Sequence, residues 1–89
     1  MKLDEVQDLL NLKLVTKKTN IDREVQGGYA SDLLSCVMAH AKENEVWITI
    51  QSHKNIVAVA SLLNLSAIII AEDVTIDENT LIKAEEENI

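Results

Sequence analysis

Three residues in this 89-residue chain have types and spacing that could do chemistry together. Asp32, Cys36 and His40 follow one another at intervals of four. On a helix that interval stacks side chains along one edge. A carboxylate, a thiol and an imidazole in a row are the groups that bind zinc or activate a thiol. The chemistry needs more than this, however. Three side chains from one straight helix do not wrap a tetrahedral ion, and no second ligand set accompanies them. The plainer expectation is Asp32 as a helix cap and Cys36 as half-buried packing, with no metal, no cofactor and no catalytic residue. Other signatures are missing. No Gly-x4-Gly-Lys-Ser/Thr loop is present to cradle phosphates, and no Gly-x-Gly-x-x-Gly or Gly-x-Ser-x-Gly. The sequence is not expected to be an enzyme.

A second candidate site comes from position. In a parallel sheet, ligands sit at the carboxyl ends of the strands. Loops over residues 27–32, 51–55 and 71–77 are expected to meet there. The first two lead into helix N-termini, whose free N–H groups attract anions. Gly27 and Gly28 would let backbone approach a ligand closely. Ser31, Asp32, Gln51, Ser52 and His53 would supply polar contacts. The third loop carries Glu72 and Asp73 instead, which disfavours an anion. A glycine pair is also, more simply, a turn.

The elements that must position these residues read as α/β. Leu3, Val6, Leu9 and Leu10 form one helical stripe over residues 3–10, stopped by Asn11. Residues 12–16 read as a strand, 17–22 as a polar connection and 24–26 as a second strand running into Gly27-Gly28. A helix is expected from Ser31, capped by Ser31 or Asp32, with Leu33, Leu34, Val37, Met38 and Ala41 inward. Residues 46–50 are a β-branched strand. From Ser52 to Asn64 a helix apolar on nearly all sides is expected, with Ala58, Ala60 and Ser61 letting it lie close to a sheet. Residues 67–71 are a continuous apolar run, as in a sheet covered on both faces. Asp77 caps a last helix bearing Leu81, Ile82 and Ala84. The expectation is a mostly parallel or mixed sheet of about four strands with helices on both faces, in a single domain over residues 1–89.

Composition bounds the function. Apolar residues make up 47 % of the chain, enough for a core, and proline is absent. One cysteine excludes an intrachain disulfide framework. No apolar run reaches the roughly 18 residues of a membrane span, and the acidic start is not expected to be a signal peptide. A cytoplasmic chain is expected. The net charge of −7 is concentrated at one end. Residues 72–89 hold seven acids (Glu72, Asp73, Asp77, Glu78, Glu85, Glu86 and Glu87) against Lys83. Such an end repels nucleic acid and anionic membranes, and neither is expected as a partner.

The stretch from Asp22 through Gln26-Gly27-Gly28-Tyr29 to Ser35, with the stretch Trp47-Ile48-Thr49-Ile50-Gln51-Ser52-His53 and on to Ala60, resembles the small stand-alone DRTGG-domain proteins. The resemblance runs from Leu3 to Ile89. The same domain type is similar to the N-terminal domain of HPr kinase/phosphorylase, and it occurs in some phosphotransacetylases and beside CBS domains. It implies an α/β fold and an accessory, non-catalytic regulatory role, since the kinase chemistry belongs to a separate domain. Two departures stand out. Where many relatives have a Thr-Gly-Gly turn, this chain has Ala71-Glu72-Asp73. Relatives also continue into a short apolar strand that would begin at Ile89. The reading is a regulatory domain acting through protein–protein contact as a homodimer. The alternative is a sensor binding a nucleotide or phosphorylated metabolite at the strand ends.

Overall fold

The computed structural model describes residues 1–17 and 19–89. Seven elements follow one another: α1 (Leu3–Leu10), β1 (Gly27–Ala30), α2 (Leu34–His40), β2 (Glu45–Thr49), α3 (Asn55–Leu62), β3 (Ala67–Ile70) and α4 (Glu78–Glu87). The strands form one parallel sheet in the order β1-β2-β3. The α/β class and the parallel pairing match the expectation. Among the described residues the sheet has three strands rather than four.

Two expected strands are displaced or missing. Residues 12–16 form no strand. The second strand is not at 24–26 but starts at Gly27, and Glu24 makes an isolated antiparallel bridge to Lys2. The glycines are therefore ladder residues. Neither has a positive φ, so no special backbone angle requires glycine there. A Cβ on Gly28 would sit 3.5 Å from Val46 Cγ2 and 3.6 Å from Ile48 Cδ1, ordinary contact distances. The connection expected over 17–22 includes Lys18, which lies outside the described residues.

The sheet faces are unequally covered. Tyr29, Trp47, Ile68 and Ile70 meet α2, α3 and α4 through Val37, Ile56, Val57, Val59, Ala60 and Ala84. The opposite face, with Val46, Ala67 and Ile69, is met by Leu3 of α1 and by Val25. Helices do lie on both faces, three against one. Only Leu3 and Val6 of the α1 stripe are buried, and Leu9 and Leu10 face solvent at 70 % and 59 % exposure. Val37 of α2 is buried, while Met38 of the same helix and Leu33 just before it are exposed. Among the described residues no helix is long and apolar enough to cross a membrane.

Helix ends differ from the expected caps. Asn11 does end α1, in the left-handed conformation at φ 54°. The cap of α2 is Leu33, so neither Ser31 nor Asp32 caps it, and the helix expected from Ser52 starts at Asn55 with Lys54 as its cap. Asp77 is the N-cap of α4 by position, yet its side chain makes no capping bond. The turn after β3 is informative. Glu72 and Asp73 both have positive φ, 63° and 51°, and Val74 N–H reaches back to Ala71 O at 3.5 Å. Two consecutive left-handed residues are the conformation that Asn-Gly favours. The turn keeps glycine's geometry without glycine. Replacing Glu72-Asp73 by Asn-Gly is expected to stabilise the fold by about 0.5–1 kcal/mol, read as a raised urea midpoint at unchanged slope.

Candidate functional site

The loops at the carboxyl ends of β1 and β2 do meet, but they are bonded to each other. Asp32 is the centre of the junction. Its Oδ1 accepts from Thr49 Oγ1 at 2.8 Å and from Ile50 N–H at 2.9 Å. Gln51 Nε2 donates to Asp32 O at 2.9 Å, and Gln51 N–H donates to Thr49 Oγ1 at 3.1 Å. Ser31 is used twice: its Oγ accepts from Leu33 N–H, and its carbonyl accepts from Trp47 Nε1 at 2.8 Å. Trp47 is fully buried beneath this junction. Asp32, Ser31 and Gln51 are thus brought together as a clamp between two strand ends.

The remaining predicted residues are spent elsewhere. Ser52 presents its carbonyl to Thr80 Oγ1 of α4 at 2.5 Å. His53 Nδ1 lies 3.2 Å from Asp77 Oδ2, an exposed pair linking the loop after β2 to the start of α4. Gly27 and Gly28 sit in β1, with Gly27 level with Glu45 at the amino end of the sheet, not at a ligand-facing turn. The spacing-based trio does not assemble. Asp32 precedes α2 and points its carboxylate at β2. His40 instead stacks on Tyr29 with ring centroids 6.2 Å apart and bonds Cys36 O through Nδ1 at 3.1 Å.

The clamp has an electrostatic signature. The Ile50 N–H, and after it the Thr49 hydroxyl, hold the Asp32 carboxyl below the usual carboxylate range, against a smaller opposing effect of desolvation. A folded-state pKa below the unfolded value gives stability that is complete above the ordinary carboxylate pKa of about 3.9. It is lost as pH falls through the folded value. Asp32→Asn is therefore expected to lower the melting temperature at neutral pH, with the difference from wild type shrinking and vanishing in strong acid. A thermal-melt series across that range checks it.

Two features were not anticipated from sequence. The first is a polar knot at the amino ends of the strands. Arg23 Nη2 donates to Asn64 O at 2.6 Å, Asn64 Oδ1 at 2.8 Å and Asn44 Oδ1 at 3.3 Å. Asn64 Nδ2 donates to Glu43. Asn44 and Asn64 both have positive φ, at 67° and 56°, and asparagine before a strand was the available signal. The second is a groove of about 480 Å³ running along β3. Ala67 and Ile69 point to one face of the sheet and Ile68 and Ile70 to the other, and all four line the groove. No residue of β2 does. The groove therefore follows the outer edge of β3, between the segment at residues 11–16 and α4.

No family model, curated protein or solved structure matches the chain. The functional reading rests on the geometry and on the sequence resemblance.

Proposed function

We propose that the chain is a non-catalytic regulatory domain of the DRTGG type that acts through protein–protein contact, as a homodimer. One contrast carries this reading. The polar groups at the strand ends are bonded to each other over a buried Trp47, while the edge of β3 stands open along an apolar groove. A nucleotide or phosphorylated metabolite needs free donors at the strand ends, and there Asp32, Ser31 and Gln51 are already partnered. An unpaired strand edge, by contrast, is a template for another chain.

Thermal melts with nucleotides and sugar phosphates test the choice. The expected result is an unchanged melting temperature, because a ligand that binds only the folded state raises it by mass action. A concentration-dependent rise would replace this reading with the sensor. The same preparation is expected to transfer no phosphate from ATP to a serine of HPr, and detectable transfer would overturn the non-catalytic assignment.

A further inference from the structure

The groove along β3 runs beside one strand's worth of unpaired backbone. In a sheet of order β1-β2-β3, β3 pairs on one side only. Among the described residues no backbone hydrogen bond reaches its outer edge. A hydrocarbon ligand in the groove would bury those N–H and C=O groups without partners, which is costly. An extended peptide pairs with them and lays alternate side chains on the apolar walls. The occupant that fits is therefore a strand.

The chain itself carries a segment of that chemistry. Residues 12–16, Leu-Lys-Leu-Val-Thr, have a strand's composition and yet form none. Among the described residues, the backbone groups of 13–16 have no backbone partner. Leu14 and Val15 are 45 % and 47 % exposed, next to the exposed Leu9 and Leu10. Five extended residues span about 16 Å, enough to run the length of β3. The charges are complementary. Residues 9–21 hold Lys13, Lys17 and Lys18 and no acid, whereas the far side of the groove brings Asp73 to its wall and Glu85 within reach of the segment. In one copy the segment already touches that side, since Lys17 N–H donates to Glu85 Oε1 at 2.5 Å.

We infer that residues 12–16 of a second copy of this chain enter the groove as a fourth strand on β3, and that the exchange is reciprocal. This rests on the homodimer reading above and names its contact. Asn11, already left-handed at the end of α1, is the hinge. Leu9 and Leu10, exposed immediately before that hinge, lie where the exchanged segment would cross between copies. A two-fold axis gives both copies the same contact, and exchange of an identical element is a low-barrier route to such dimers.

Sedimentation equilibrium at micromolar concentration tests it, in three arms. Wild type is expected at twice the chain's 9.9 kDa. Leu14→Pro, which removes an N–H that has no partner among the described residues, is expected to raise the dimer dissociation constant at least ten-fold with an unchanged circular dichroism spectrum. An excess of the free peptide of residues 12–19, added to wild type, is expected to return it to 9.9 kDa. The peptide arm stands even if the proline variant fails to fold. Wild type at the single-chain mass would overturn the homodimer reading and this contact with it. A dimer indifferent to both proline and peptide would keep that reading and overturn this contact alone.

Discussion

Trp47→Ala is expected to lower the stability of the fold by about 3–5 kcal/mol. The side chain is fully buried and belongs to the same cluster as Val37 of α2, Ile56 and Ala60 of α3 and Ala84 of α4. It is the largest fully buried residue. Its removal takes away the body against which the helical layer packs, and an alanine leaves a cavity that a parallel sheet cannot close. For a chain of this length, total stability is on the order of 4–13 kcal/mol at typical values per residue. The variant is therefore expected to be marginal or unfolded at ambient temperature. Trp47→Phe separates packing from positioning. It keeps most of the volume but leaves Ser31 O without the Nε1–H donor, and a loss of about 1–3 kcal/mol is expected. Because Trp47 is the single tryptophan, urea unfolding of both variants is followed by circular dichroism. A midpoint for Trp47→Ala within experimental error of wild type would show that the helical layer does not depend on it.

The elements legible in the sequence are those whose pattern has one solution. Residues 46–50 and 67–71 were expected as strands, and the strands are Glu45–Thr49 and Ala67–Ile70. Their β-branched runs are too short for buried helices and too apolar for loops. The helix from Asp77 and the stop at Asn11 were equally plain, because a polar cap borders an apolar stripe. The failures have a common cause: a local preference that tertiary pairing overrides. Gly27-Gly28 reads as a turn by conformational preference, but Tyr29 level with Trp47 puts the pair inside a strand. Residues 12–16 have strand propensity, and propensity without a partner strand does not make one.

The site was legible in place but not in state. The sequence located the meeting of the loops after β1 and β2, and Ser31, Asp32 and Gln51 are there. What it could not show is that Asp32 is turned back onto Thr49 and Ile50. A carboxylate beside a helix start reads equally as a cap, a ligand contact or a clamp, and only the register between two separate strands chooses among them. The groove along β3 was hidden for the same reason. It is made by an absence of pairing at residues 12–16, which no pattern within those residues announces.

Helix α3 provides the second large effect. Its apolar run leaves the buried face unreadable from periodicity, and Ala58 and Ala60 were both expected against the sheet. The structure divides them. Ala60 is fully buried, with Ile56, Val57 and Val59, while Ala58 is exposed beside Leu62, itself 70 % exposed. Ala60→Leu pushes a larger side chain into a layer already filled by Trp47 and Leu65. It is expected to lose about 1–3 kcal/mol through off-rotamer packing and backbone shift. Ala58→Leu adds the same atoms to a solvent-facing position and is expected to change stability by no more than about 0.5 kcal/mol. The matched pair controls for helix propensity, since both replace alanine by leucine on one helix. Chemical denaturation of the two variants gives the comparison directly. Equal losses would mean that the outer face of α3 is itself covered in solution, and would move the proposed contact between copies from the edge of β3 to the face bearing Ala58 and Leu62.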